Sequence, residues 1–391
     1  MKKYSITLLM IVLVFGSCED FLDRQPLTSM NDENFWTSEN NIRLFANSFY
    51  TNYFVGYNTG FALDYAPLRG FNFSDDLTSV GKQASFENQP PPTRQELREV
   101  PPVTNWESEY AGTKWNFSWV RKSNLFLERI ERAKGSVLND EAYQHWSALA
   151  RFFRGFEYSR LVSVYGDVPY YDHVLGDTEI DQLYKDRDDR TLVMDKVYDD
   201  FVYVLANMRL SDVNSQYLNR YIAAGFISRL MLFEGTWQKY HMGNNEKAEQ
   251  YLELAVQAAD LVMTSGKWSF GSDFRRLFGS ENLAGNPEVL MYRQYESSLL
   301  VTHSIASYSN ITESQAQAAN LSLAKSFIAN DGQPYQLSSV PNADQLDLQN
   351  MIVTRDPRFE ATFWDAPRTQ AATLLYADKF IDRVGPTHAG G

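Results

Sequence analysis

Asp75 and Asp76 are the carboxylates that the sequence offers for acid–base work on a glycosidic bond, a reaction that needs two carboxyl groups flanking the scissile atom. Adjacent residues in one loop rarely straddle a substrate unaided. Accepting hydrogen bonds from sugar hydroxyls, or capping a turn, suits them better. Downstream, Trp106, Tyr110, Trp115 and Trp119 crowd into 14 residues. An exposed aromatic ring presents a flat apolar face to the C–H face of a sugar, while neighbouring Asp, Asn or Arg groups take its hydroxyls. Trp106 and Trp115 precede the next helical segment and are candidate platforms. Trp119 shares helical spacing with Phe126 and reads as core. Tyr308, in a polar loop, is a third candidate ring.

Other chemistries find no foothold. The five histidines are scattered without H-E-x-x-H spacing, and a single cysteine, Cys18, can build neither an intrachain disulfide nor a cysteine zinc site. There is no G-x-S-x-G elbow and no glycine-rich phosphate loop. Asp186 to Asp189 lacks the glycine and distal glutamate of a calcium loop, so it reads as a solvated charge run. A net charge of −13 repels phosphate backbones and argues against nucleic acid as partner. No cofactor and no catalytic residue is expected.

The elements that must position these groups are helical. With 391 residues, 44% of them hydrophobic, the chain can bury a sizeable core. The stretch Ala148 to Pro169 anchors the pattern: Leu149, Phe152, Phe153, Phe156, Leu161 and Val164 recur at helical steps, with Arg151, Arg154, Glu157 and Arg160 off that face. Asp140 is the expected cap, and Gly166 and Pro169 end the helix. Further helical periods run from the region of Trp36 to Tyr50, from Trp119 to Gly135, and over Thr191–Met208, Arg220 to about Lys239, and Glu246–Thr264. The Arg220 helix is apolar nearly all round and therefore central, the expected partner of the Ala148–Pro169 face. Asp195, Asp199 and Asp200 read as the solvated side of theirs. Residues 51 to 105, rich in Gly, Asn, Ser and Pro, read as long loops.

Trp146, Leu149, Ala150 and Phe153 reproduce the spacing of the first tetratricopeptide helix, and Ala248, Leu252 and Ala255 that of the second. The match is degenerate and partial, so it implies helical hairpins of this kind rather than a regular array. At the other end, Lys2-Lys3, an apolar run of 12 residues to Phe15, and Gly16-Ser17 directly before Cys18 resemble a bacterial lipoprotein signal, with Cys18 as the acylated residue. The run falls short of the ~20 residues that cross a bilayer as a helix.

An aromatic and arginine-rich helix entering Tyr-Gly-Asp-Val-Pro (165–169), Phe-Leu-Asp (21–23) after Cys18, Asn34-Phe35-Trp36, Asn286-Pro287-Glu288 before apolar residues, Leu321 to Asp331-Gly332, and Arg355-Asp356-Pro357-Arg358 occur in one order. Together they resemble the SusD/RagB family of surface nutrient-binding lipoproteins. The resemblance implies a mostly α fold, a tetratricopeptide-like α–α superhelix with long irregular loops and a few short strands. It divides the chain into a lipoprotein signal peptide (1–17), an N-terminal part with ligand loops (18–135), a helical scaffold (136–285) and a loop-rich part (286–391). It further implies an extended segment at 286–291, a helix from Leu321 ending at Asp331-Gly332, and a C-terminal Arg-Tyr-Ala-Glu helix that this sequence lacks. By the same resemblance the protein is lipid-anchored in the outer membrane, captures an oligosaccharide without catalysis, and partners a TonB-dependent transporter. A peptide-binding scaffold and a glycoside hydrolase are the alternatives.

Overall fold

The computed structural model describes residues 32–54, 77–79, 115–271, 273–280, 282–299 and 317–363. Cys18, Asp75, Asp76, Trp106 and Tyr308 lie outside the described residues. Six longer helices form the body: α1 (Glu39–Tyr53), α2 (Ser118–Ala133), α3 (Asp140–Tyr165), α4 (Arg190–Asn207), α5 (Arg220–Trp237) and α6 (Asn245–Met263). From α2 to α6 each packs on its neighbours in sequence, which is the arrangement of stacked helical hairpins. Antiparallel β1 (Leu77–Ser79) and β2 (Gln317–Ala319) make a two-stranded ribbon, with Leu77 opposite Ala319. Among the described residues after α6 are four short helices, α7 (Phe274–Phe278), α8 (Leu321–Ser326), α9 (Leu348–Thr354) and α10 (Arg358–Thr362).

Local chemistry sets the helix ends. The Ser38 hydroxyl accepts from Asn41 N–H at 3.2 Å and caps α1. Asn139, not the expected Asp140, caps α3: its side chain accepts from Ala142 N–H at 2.9 Å, which leaves Asp140 and Glu141 in the first turn facing the positive end of the helix dipole. Gly166 ends α3 with φ of +71°, a conformation open mainly to glycine, and its N–H closes on the Val162 carbonyl at 3.0 Å.

Helix α3 is buried almost all round. It packs chiefly between α2 and α4, and only in small part on the Arg220 helix that its apolar stripe suggested as partner. It meets α5 through Phe152 and Phe156, whose rings lie 6.0 and 5.9 Å from Phe226. Gly155 makes the α4 contact possible, because a Cβ there would stand 2.7 Å from Phe201. Phe153 has no exposed surface; it stacks on Phe49 at 4.7 Å and on Tyr53 at 5.4 Å.

Three charged residues expected at the surface are in the core. Arg154, Glu157 and Asp200 are each at most 5% exposed. Arg154 donates through Nε to Asp200 Oδ2 at 2.8 Å and through Nη2 to Oδ1 at 2.7 Å, while Nη1 reaches Asn124 Oδ1 and the Asp172 carbonyl. Periodicity places a charge off an apolar stripe; it does not reveal that a second helix covers that side with the opposite charge. Asp188 likewise is not simply solvated, since its carboxylate accepts from Tyr170 N–H at 2.7 Å and from Lys185 Nζ at 2.6 Å.

Two elements expected from the resemblance take other forms. At 286–291 the chain turns rather than extends: the Asn286 side chain accepts from Glu288 N–H at 3.0 Å and its carbonyl from Val289 N–H at 3.2 Å, an Asx turn that Pro287 favours. The helix from Leu321 stops at Ser326, and Gly332 occupies a turn at φ +80°.

Candidate functional site

A cleft of about 590 Å³ opens where the end of α1, the α4–α5 connection, the first half of α5 and the segment 291–293 converge. Tyr50, Phe54, Gln216, Tyr217, Tyr292 and Arg293 are prominent in its lining. The wall is built from the inside out. Tyr50 is held when its hydroxyl accepts from Leu218 N–H at 2.9 Å, and burial pushes that hydroxyl's pKa well up, so it stays protonated. Tyr217 packs edge-on against Tyr50 at 5.3 Å, and Phe54 lies 5.3 Å from Phe226. Behind Tyr217, Arg43 stands 5.9 Å from the ring while its guanidinium engages both oxygens of Asp212 at 2.8 and 2.9 Å.

The opposite wall is tied down on both sides of Arg293. Tyr292 N–H donates to the Ser215 carbonyl at 3.2 Å, and Gln294 N–H to Gln216 Oε1 at 3.1 Å. The side chains of 292 and 293 therefore project from a fixed backbone. A second chamber, of about 460 Å³, adjoins the first, with Phe226 and Met291 lining both. Its remaining lining is mainly apolar, with Arg229 and Glu288 as the charged groups. Rings beside amide and guanidinium groups are suited to holding a polar ligand that has apolar faces.

Of the residues proposed from sequence, Trp115 is described, and it does not line this cleft. It is half-buried against the end of α3, edge-on to Tyr165 at 5.1 Å and to Phe117 at 5.3 Å, with the Arg187 guanidinium 4.6 Å from its ring centroid. Trp119 packs against Phe49 at 5.7 Å, as expected of a core ring. The chain enters residues 55–76, which carry Asp75 and Asp76, from Phe54 at the cleft wall. The ribbon ties the far end of that segment, at Leu77, to the strand that follows 300–316, which carries Tyr308. Gln216, Tyr217, Tyr292 and Arg293 escaped sequence reasoning. The available signal was a ring beside polar groups in Asn214 to Leu218 and again in Tyr292 to Tyr295.

Stacked helical hairpins with a ring-lined cleft define the class, a mostly α superhelical scaffold. The profile of the SusD-like family, described as starch-binding and associating with the outer membrane, matches residues 20–232, and the chain belongs to that family. It is similar to SusD-like protein P2 of Formosa agariphila, at 24% identity over 306 residues, covering 75% of this chain and 53% of the relative. The chain thus spans about half the length of that relative. Among solved structures, a SusD-like carbohydrate binding protein of Bacteroides fragilis superposes with a TM-score of 0.62 at 18% identity, covering 84% of this chain and 60% of the other. A SusD superfamily protein of Parabacteroides distasonis gives 0.59 at 14% identity, with 92% and 71% covered. At these identities the likeness establishes the mostly helical fold.

Proposed function

We propose that this protein captures oligosaccharide at the outer membrane without catalysing its cleavage, anchored through acylated Cys18 and acting with a TonB-dependent transporter in nutrient uptake. The observation that carries the reading is the cleft lined by Tyr217, Tyr292, Gln216 and Arg293 on a scaffold whose family is described as starch-binding. Sugar C–H faces stack on the tyrosine rings, while the amide and guanidinium groups meet the hydroxyls. Asp75, Asp76 and Tyr308 add further ligand contacts. Trp106 supplies a further ring, and the face of Trp115 opposite Arg187 is a secondary platform.

Calorimetric titration against a panel of oligosaccharides tests this directly. Tyr217→Ala and Tyr292→Ala should each weaken binding by about 1 to 3 kcal/mol if their rings are platforms, by analogy with base stacking. Absence of binding to every glycan in the panel, with capture of a peptide instead, would replace the reading with that of a peptide scaffold. Loss of radiolabelled palmitate from Cys18→Ala checks the anchor.

A further inference from the structure

The two joined chambers carry a charge pattern opposite to that of the whole chain. The net charge is −13. Yet among the described residues the larger chamber is lined by Arg293 and by no acidic residue, and the smaller by Arg229 with a single acid, Glu288. Glu288 is already engaged, because its Oε1 accepts from Gly271 N–H at 2.6 Å.

Among the described residues neither arginine is matched to a carboxylate. Arg229 and Arg293 are both exposed and make no ion pair or side-chain hydrogen bond among the described residues; Arg293 rests 5.4 Å from the Tyr295 ring. Three arginines of the helical body stand in contrast: Arg43 is matched to Asp212, Arg154 to Asp200 and Arg190 to Glu234, each within 2.8 Å. The arginine behind the Tyr217 ring is thus neutralised, whereas the two on the chamber walls are left available. The bonds that fix residues 292 and 294 also place the root of the Arg293 side chain before any ligand arrives. A guanidinium offers two parallel N–H donors that match a carboxylate or a sulfate.

From this we infer that the cleft selects an acidic oligosaccharide, one carrying a carboxylate or sulfate group in reach of Arg293 and a second in reach of Arg229, with the sugar faces on Tyr217 and Tyr292. The inference rests on the reading of this cleft as the glycan site. The negative field of the rest of the chain repels a polyanion, so the two arginines must supply a local attraction that discriminates sharply between acidic and neutral sugars.

The test is calorimetry on the full chain with neutral, uronic acid and sulfated oligosaccharides of matched length. It compares the unaltered protein with Arg293→Gln, Arg229→Gln and the double variant, each checked for an unchanged circular dichroism spectrum. The expected result is affinity for an acidic ligand ~10-fold or more above neutral, reduced by ~10-fold or more in the double variant while neutral binding holds. Preference between the uronic acid and sulfated arms identifies which anion the pair receives. Equal affinity for neutral and acidic ligands, or double-variant affinities equal to those of the unaltered protein, would overturn the acidic specificity and leave glycan capture standing. No binding in any arm would overturn both.

Discussion

Arg154 in the helical body and Arg355 in the C-terminal cluster are both buried guanidiniums, and their surroundings could hardly differ more. Arg154 is 5% exposed and donates to Asp200, Asn124 and the Asp172 carbonyl. Burial by itself would lower its pKa, but Asp200 more than offsets that and holds it above the usual arginine range. Arg355 is 1% exposed, yet among the described residues its one side-chain hydrogen bond runs from Nη1 to Thr354 Oγ1 at 3.2 Å, leaving Nε and Nη2 without partners there. Burial lowers its pKa, opposed only weakly by Tyr335, over whose ring it lies at 5.4 Å.

The packing around them differs in the same sense. Arg154 sits in a continuous core that joins α1 to α6, where facing helices can present a carboxylate of matched geometry. Arg355 belongs to a small cluster around Ala324, Met351, Phe359 and Phe363, to which α7 is tied by Arg275, which donates to Glu360 at 2.8 Å. The contrast teaches that an arginine in a recognisable motif is not thereby a stabilising one. Its worth depends on what the opposing element brings.

The comparison can be pushed hardest at the helical body. Phe153→Ala should cost roughly 3 to 5 kcal/mol as a core deletion, read as a lower midpoint in urea denaturation; a small loss of stability with abolished ligand binding would reverse the scaffold role assigned to α3. Asp200→Ala should cost a similar ~3 to 5 kcal/mol, because it leaves Arg154 buried and unpaired. A cost below about 1 kcal/mol would show that the pair carries no more weight than Arg355 does alone.

Acid should also act on the body. His145 is fully buried, with Nδ1 accepting from Arg209 N–H at 3.3 Å, so the ring proton sits on Nε2, 4.0 Å from Asp212. Burial depresses its pKa to about 4, helped by Arg209 and Arg43 and opposed by Asp212 and Glu141. The unfolded chain takes up this proton near pH 6.5, whereas the folded chain resists until about pH 4. Stability contributed by the neutral ring is therefore complete above pH 6.5 and lost as pH falls toward 4, by about 3 kcal/mol. His145→Gln, which keeps an acceptor for Arg209 N–H, should flatten that slope in denaturation curves taken across the window.

The smallest effect is expected at Arg355. Arg355→Met removes a buried, unmatched charge and should leave the thermal midpoint unchanged or raise stability by about 1 kcal/mol. Clear destabilisation would mean that the C-terminal cluster provides for its guanidinium as well as the body does.

The sequence by itself determined the helices and the family, because both are written in local order. Apolar spacing located α2 to α6 to within a residue or two at most ends, and the Gly166-to-Pro169 stop and the arginine-rich motifs are contiguous signals. The site was legible only as a class of residue. Trp115 reads in the sequence as a candidate platform, but tertiary packing set it half-buried against Tyr165 under Arg187 and away from the cleft. Tertiary structure alone decided that Asp200 faces inward and that Tyr50, Tyr217 and Tyr292 share a wall. The reason is physical: period and caps express each residue's relation to its own helix, whereas burial of a charge and closure of a cleft depend on which distant element arrives with a matching partner.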